Sequence, residues 1–202
     1  MSKPKIFIPF YSRSGTIEAL AKAVAEGAQG EGAEVRLRRV REFASAEVMA
    51  QAPGWKEQAD AMNARYEAPT PDDAVWADGI IFGSPTRFGA VTAELKSYID
   101  SLGGLWAKGA LNGKLGSAFG GSATPHGGNE VTTLSLYPPM AHLGLIIVPT
   151  GYADGSMFKG AGTPYGASVV SGNPPAGPTP EELDVARFQG RRVTQIARKL
   201  FA

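Results

Sequence analysis

The residues best suited to chemistry in this sequence lie in a short hydroxyl-rich loop near its start, Ser12-Arg13-Ser14-Gly15-Thr16. An apolar run precedes the loop, and a helical pattern that begins at Ile17 follows it. The first amides of a helix lack partners and the helix dipole is positive there, so this loop predicts a site for a phosphate. The alternative is an ordinary capped helix, because serine and threonine are common N-cap residues.

Two further loops share this composition. Residues 83–89 follow the apolar run 80–82, and residues 122–128 follow the strand predicted at 115–121. Polar loops at the carboxyl ends of parallel strands are where open α/β sheets bind their ligands. All three loops are poor in acids and bases, which suits them to bind a cofactor that brings its own chemistry.

Several chemistries are disfavoured by the residues that are missing. The sequence has no cysteine, which removes disulfides, thiolate catalysis and cysteine-ligated metals. His126 and His142 are its only histidines, too few for a histidine-rich metal site. It lacks the Gly-x-x-x-x-Gly-Lys-Ser/Thr run of nucleoside-triphosphate loops, and no strand pattern leads into Gly-x-Gly-x-x-Gly or Gly-x-Ser-x-Gly.

The elements that must position these loops alternate between strand and helix patterns. Strands are predicted at residues 6–11, 34–40, 80–82, 115–121 and 145–148. The second is expected at a sheet edge, because its apolar residues alternate with charged ones. Five strand–helix repeats predict a parallel sheet with helices on both faces. The last helix is expected to start with a capping box at Thr179-Pro180-Glu181-Glu182.

Prolines and glycines mark interruptions of this pattern. Pro9 is expected where the sheet needs no hydrogen bond from it, and Pro138-Pro139 is expected to kink or shorten a helix. Residues 42–74 predict short helices or an ordered excursion, and residues 150–178 predict a long irregular segment. We expect one domain over residues 1–202 that carries these two elaborations.

Composition and charge are typical of a soluble globular protein. Of the 202 residues 43% are apolar, and no apolar run approaches the roughly 18 residues of a membrane-spanning helix. Lysine and arginine number 20 against 19 aspartates and glutamates, which gives no electrostatic reason to expect nucleic acid or anionic lipid as partners. We therefore expect no nucleic-acid partner and no membrane insertion, and the absence of cysteine fits a cytoplasmic location.

Four motifs follow one another along the chain: Ser12-Arg13-Ser14-Gly15-Thr16-Ile17, Gly83-Ser84-Pro85-Thr86-Arg87-Phe88-Gly89, Gly103-Gly104-Leu105-Trp106 and Gly162-Thr163-Pro164-Tyr165-Gly166-Ala167. Together they resemble the WrbA-type NAD(P)H:quinone oxidoreductases over nearly the whole chain. The resemblance implies a flavodoxin-like three-layer α/β sandwich with a five-stranded parallel sheet in the order 2-1-3-4-5. It also implies FMN as cofactor, NADH or NADPH as hydride donor, ping-pong two-electron reduction of quinones to hydroquinones, and a homotetramer.

The resemblance also implies roles for individual residues. The first loop would hold the FMN phosphate, the second would border the isoalloxazine ring, and the third, one residue longer than in the family, would complete the site. The implied flavin contacts are Ser12, Arg13, Ser14, Gly15, Thr16, Ile17, Ser84, Pro85, Thr86, Arg87, Phe88, Gly89, Gly121, Ser122, Ala123, Thr124, Pro125, His126, Gly127 and His142. His142 is also the candidate catalytic residue, and Trp106 would line the substrate pocket. Because Ser14 replaces an aromatic residue common in the family, affinity for the nicotinamide cofactor is expected to differ.

Other roles remain open for several of these residues. Arg87 suits a solvated surface as well as the polar edge of the flavin, and Phe88 suits packing beneath its loop. His142 fits a hydrogen-bonded core position, and Trp106 fits packing or a subunit interface. The rival function is a flavodoxin-like electron carrier or regulatory FMN-binding module without efficient turnover. DNA binding is disfavoured by the near-zero net charge.

Overall fold

The computed structural model describes residues 2–160 and 163–201 of the protein as a parallel sheet covered by helices. The strands are Lys5–Phe10 (β1), Glu34–Arg39 (β2), Gly79–Pro85 (β3), Leu115–Ser122 (β4), Ile146–Ile147 (β5) and Ser168–Val170 (β6). Their order is β2-β1-β3-β4-β5, and β6 also pairs with β4. The predicted order and the edge position of the second strand are confirmed.

The fifth position of the sheet is divided between two short strands. β5 pairs with the start of β4, at Leu115 and Gly116, whereas β6 pairs with its end, from Gly120 to Ser122. Pro149 and a 3-10 helix at Gly155–Phe158 lie in the excursion between them. Residues 150–178 are therefore more regular than predicted, because the end of β4 needs a partner that β5 is too short to supply.

Pro9 lies within β1, opposite Arg38 of β2. The register between β1 and β3 passes over Ile8 and Pro9 and resumes at Phe10. The ladder is interrupted at the residue that cannot donate a hydrogen bond, as expected. β3 continues through Gly83 instead of ending there, because its last residues still pair with β4.

Helices cover both faces of the sheet. They are Thr16–Gly30 (α1), Ala46–Ala50 (α2), Trp55–Arg65 (α3), Pro71–Trp76 (α4), Ala93–Ser101 (α5), Gly103–Trp106 (α6), Asn129–Ser135 (α7), Tyr137–His142 (α8) and Pro180–Phe201 (α9). One core joins α1 and α9 to the sheet through residues such as Leu20 and Val193, and the other contains Phe82 and Leu95. None of the helices in the described part of the chain has the length and hydropathy that crossing a bilayer requires.

Local signals in the sequence place several helix ends. Pro138 and Pro139 lie in the first turn of α8, and α7 ends before them at Ser135, so the predicted shortening is confirmed. The capping box of α9 is also confirmed. The amide of Thr179 donates to Glu182 Oε2 at 2.7 Å, and the amide of Glu182 donates to Thr179 Oγ1 at 3.2 Å.

The excursion over residues 42–74 contains α2, α3 and the start of α4, in agreement with the predicted short helices. Its α3 is tied to α1 through Glu18, a largely buried carboxylate near the start of α1. Tyr66 Oη donates to Glu18 Oε1 at 2.8 Å, Lys22 Nζ lies 3.1 Å from the same oxygen, and Arg65 also pairs with it. The contacts from Tyr66 and Arg65 hold the excursion against the end of α1 that follows the first loop.

Glu18→Gln tests this attachment. Burial alone would raise the pKa of Glu18, but the hydrogen bonds from Tyr66 and Lys22 and the nearby cations hold the pKa below its ordinary value of 4.5. A carboxylate with a lowered pKa stabilises the fold above its unfolded pKa, and that stability is lost as the pH falls through the folded pKa. We expect the free energy of unfolding of the variant to be lower by about 1–2 kcal/mol at neutral pH. Below pH 4.5 we expect this free energy to change less with pH than that of the wild type. Urea unfolding at several pH values measures both.

The matched control is Glu34→Gln, which changes an exposed carboxylate on β2. We expect its free energy of unfolding to follow that of the wild type at every pH. Parallel wild-type and Glu18→Gln curves from neutral to acidic pH would contradict the assigned role of Glu18.

Candidate functional site

The carboxyl ends of β1, β3 and β4 surround a cavity of about 590 Å³. The predicted residues that line it are Ser12, Arg13, Ser14, Thr16, Ile17, Pro85, Thr86, Arg87, Gly121, Ser122 and Ala123. The three loops identified in the sequence thus meet at one site, whose volume is in the range of small-molecule pockets.

The first loop presents unpaired hydrogen-bond donors to this cavity. Gly15 is the N-cap of α1, with a φ of 85°, and no side chain caps the helix. Within the described residues, the backbone amides of residues 13–18 donate no hydrogen bond to the protein. Ser12 Oγ is buried and also lacks a partner. These free donors at the positive end of α1 favour the anion site over the capped helix.

The second loop forms a tight turn that contributes Pro85, Thr86 and Arg87 to the cavity lining. Arg87 and Ala90 bridge across Phe88 and Gly89, whose φ angles are 52° and 78°. A positive φ is strained for phenylalanine. The Phe88 side chain is fully exposed, so it does not pack beneath the loop. Arg87 lines the cavity, and its Nη1 donates to the carbonyl of Thr86 at 2.9 Å.

Two predicted contacts hold the second loop in shape without lining the cavity. Ser84 is fully buried, and its Oγ accepts from the amide of Thr92 at 3.0 Å and donates to the carbonyl of Pro85 at 2.9 Å. The amide of Gly89 donates to Thr86 Oγ1 at 3.1 Å. These bonds fix the path of the loop between β3 and α5.

The third loop contributes only its first part to the cavity lining. Ser122 Oγ donates to the carbonyl of Thr124 at 2.6 Å, and the amide of Gly127 donates to the same carbonyl at 3.0 Å. This turn carries Pro125 and His126, which are exposed. Thr124, Pro125, His126 and Gly127 are therefore outside the cavity in this chain.

His142 and Trp106 lie in a second depression of about 400 Å³, between α5, α6 and α8. Both side chains are exposed. His142 is thus not a hydrogen-bonded core residue. The depression shares no lining residue with the first cavity, so one chain does not bring His142 and Trp106 to the three loops.

The fourth sequence motif has a structural role in this chain. Its first residue, Gly162, lies outside the described residues. Thr163 Oγ1 donates to the carbonyl of Gly166 at 2.9 Å, and the carbonyl of Ala167 accepts from the amide of Gly120 at 3.0 Å. The motif thereby leads the chain into β6 beside β4.

Two segments that sequence reasoning did not assign complete the cavity. They contribute Ala52, Pro53, Gly54, Trp55 and Gln58 around the start of α3, and Ser171, Gly172, Asn173 and Pro175 after β6. Both lie in the two elaborations, 42–74 and 150–178. The feature of the sequence that could have pointed to these segments is their length, because long loops in a compact domain are often functional, for example as binding loops.

Among the described residues, the charged ones that line the cavity are Arg13 and Arg87, so its charge suits an anionic ligand. Behind the first loop, burial and the hydrogen bond to Glu42 raise the pKa of Tyr11 above its ordinary value. Its hydroxyl stays protonated and donates to Glu42 Oε2 at 2.5 Å. In the described part of the chain, no cluster of histidine and carboxylate side chains could hold a metal ion. The site offers donors and cations for binding and few groups for proton transfer.

Sequence comparisons agree with this geometry. Residues 11–158 match the sequence pattern of the NADPH-dependent FMN reductase family. An NAD(P)H dehydrogenase (quinone) from Sinorhizobium fredii is 48% identical over 206 residues, which cover 97% of this chain and 98% of the relative. A relative of the same name from Deinococcus radiodurans is 42% identical over 196 residues, which cover 97% of this chain and 96% of the relative. The resemblance to quinone oxidoreductases is confirmed.

Solved structures confirm the predicted flavodoxin-like fold. A WrbA-like flavodoxin from Agrobacterium tumefaciens superposes with a TM-score of 0.67 at 23% identity, over 98% of this chain and 99% of the other. A flavodoxin from Archaea superposes with a TM-score of 0.62 at 16% identity, over 96% of this chain and 99% of the other. At these identities the similarity concerns the fold.

Proposed function

Because this chain belongs to the NADPH-dependent FMN reductase family, we propose that it reduces quinones to hydroquinones with NADH or NADPH through bound FMN. The family and the two dehydrogenase relatives support both the cofactor and the reaction. FMN supplies the redox chemistry when bound, by accepting a hydride and passing two electrons on. The protein has to bind, orient and tune this cofactor.

The observation that carries the proposal is the set of free donors in the first loop. Ser12 Oγ is buried without a partner, and the amides of residues 13–18 are unpaired within the described residues. A buried polar group without a partner costs about 1–3 kcal/mol, so such a cluster is expected where a ligand completes the bonds. A phosphate with several acceptor oxygens fits it, and the residues present therefore fit FMN.

The other two loops would surround the remainder of the cofactor. Arg87 lines the cavity beyond the phosphate loop and supplies a positive charge that stabilises negative charge on a reduced ligand. Gly121 and Ser122 approach from β4. The scarcity of acids and bases in this lining is consistent with hydride transfer, which needs no strongly shifted protein base.

We further propose that the active assembly is a homotetramer in the cytoplasm. His142 and Trp106 are exposed in a depression separate from the cavity. A neighbouring copy could bring them to the flavin and quinone, in the roles that the family resemblance implies. Sedimentation of the FMN-loaded protein tests the tetramer, and a monomer that turns over at the full rate would contradict it.

Rapid mixing tests the function directly. The FMN-loaded protein is mixed anaerobically with NADH or NADPH and then with a quinone, and the flavin absorbance is followed. We expect one two-electron bleaching step followed by reoxidation by the quinone. A one-electron reduced form that is well populated during stepwise anaerobic reduction would instead identify an electron carrier. Failure of the pure protein to bind FMN would refute the proposal.

Arg87→Ala tests the second loop. Loss of the guanidinium is expected to weaken FMN binding about tenfold or to slow hydride transfer by a similar factor. Fluorescence titration and the rapid-mixing rates measure these two quantities. Arg87→Lys should show a smaller loss of FMN affinity or rate, because lysine keeps the positive charge but lacks the planar guanidinium group with its paired N–H donors.

Arg191→Ala, in an arginine of α9 that does not line the cavity, is the matched control. It should leave both quantities unchanged. Wild-type values for Arg87→Ala would show that this loop does not contact the cofactor.

A further inference from the structure

Trp55, at the start of α3, forms a wall of the cavity that none of the three loops supplies. It is the one aromatic residue among the described residues of the lining. The guanidinium carbon of Arg13 lies 3.8 Å from the centre of its ring. This is stacking distance for an arginine on an aromatic face. Trp55 therefore sets where the charge of Arg13 lies beside the first loop.

Trp55 is itself held by a buried carboxylate. Its Nε1 donates to Glu42 Oε1 at 3.1 Å, and the same oxygen lies 2.7 Å from Arg39 Nη2. The side chains of Arg39 and Glu42 are only 0% and 4% exposed. Tyr11 donates to the other oxygen of Glu42 at 2.5 Å. The carboxylate thus connects the end of β1, the end of β2 and the start of α3.

The same ion pair also holds the first loop. Arg39 Nη2 donates to the carbonyl of Ser12 at 3.1 Å, and Arg39 Nη1 donates to Asn63 Oδ1 of α3 at 2.6 Å. Burying two charges is costly, and a well-packed apolar pair is often as stable. A role in positioning explains why this pair contacts two residues of the cavity lining, Ser12 through Arg39 and Trp55 through Glu42.

We infer that Trp55 and Glu42 are positioning residues, which together place Arg13 for a charge-assisted contact with the FMN phosphate. This inference rests on the proposed flavin site and deepens it. The ring of Trp55 closes the phosphate end of the cavity, and the buried Arg39–Glu42 pair fixes the ring relative to Ser12. Recognition of the phosphate is therefore shared between the first loop and α3.

The test compares FMN with riboflavin, which has the same ring system without the phosphate. Dissociation constants are measured by quenching of flavin fluorescence for the wild type, Trp55→Ala and Glu42→Gln. We expect both variants to weaken FMN about tenfold and to leave riboflavin binding unchanged. Trp55→Phe, which keeps the stack and loses the bond to Glu42, should fall between the wild type and Trp55→Ala.

Trp76→Ala provides a matched control, because Arg36 stacks on Trp76 at 4.1 Å outside the cavity. The dissociation constants of FMN and riboflavin should be unchanged in this variant. Equal losses for FMN and riboflavin, or wild-type affinity for FMN in Trp55→Ala and Glu42→Gln, would overturn the inference while leaving the flavin site intact. A wild-type protein that binds neither ligand would overturn the proposed function as well.

Discussion

Replacing Ser12 with alanine is expected to weaken FMN binding by about 2 kcal/mol, roughly thirtyfold, without destabilising the free protein. Ser12 Oγ is buried at the cavity and has no hydrogen-bond partner among the residues that the structure describes. Its removal costs the ligand-free fold no hydrogen bond and relieves an unsatisfied polar group. The phosphate, in contrast, would lose a donor. Fluorescence titration with FMN and thermal unfolding of the ligand-free protein measure the two effects.

Ser117→Ala is the matched control, because Ser117 Oγ is equally buried but satisfied. It donates to the carbonyl of Val148 at 2.7 Å and accepts from Gln189 Nε2 at 2.8 Å. We expect this variant to destabilise the free protein by about 1–3 kcal/mol, because Gln189 loses a partner, and to bind FMN normally. A Ser12→Ala protein that is destabilised like the control and keeps its FMN affinity would contradict the phosphate site.

Gly190→Ala is expected to have the largest effect on stability, about 3 kcal/mol. A methyl group at Gly190 of α9 would lie 2.0 Å from the carbonyl oxygen of Val24 in α1, and one at Gly27 would lie 1.9 Å from that of Arg187. Both distances are far inside van der Waals contact with backbone. The two helices can accept alanine only by moving apart, which opens the core between them. Urea unfolding of Gly190→Ala measures the loss.

Gly30→Ala is the matched control in the same pair of helices. A methyl group at this last residue of α1 would meet no atom within 4 Å. The stability of the Gly30→Ala protein should therefore equal that of the wild type or be slightly higher. Because α1 also presents the free amides of the first loop, we expect Gly190→Ala to weaken FMN binding as well. Wild-type stability in Gly190→Ala would show that α1 and α9 are not packed this closely in solution.

Local patterns in the sequence accounted for most of the fold and for the centre of the site. The apolar runs of β1, β3 and β4 are buried strands because continuous apolar residues suit a sheet covered on both faces. The loops that follow them meet in space because the carboxyl ends of neighbouring parallel strands lie at one edge of the sheet. Pro138-Pro139 and the capping box of α9 act within a single turn, so they too were predictable.

Other features depend on where distant segments pack, and the sequence alone did not reveal them. Trp55 and Asn173 reach the cavity from two excursions without regular periodicity, whose paths are decided by tertiary contacts. The same holds for the division of the fifth strand position and for the separate depression that contains His142 and Trp106.

The sequence by itself therefore determined a parallel sheet with helices on both faces, and it predicted an anion site in the loop after the first strand, because period, capping and composition act over a few residues. Only the tertiary structure decided that Ser12 Oγ is left without a partner, and that Glu42 and Arg39 connect the first loop to Trp55. These facts arise from contacts between residues far apart in the chain, and such contacts exist only once the sheet and its helices have packed.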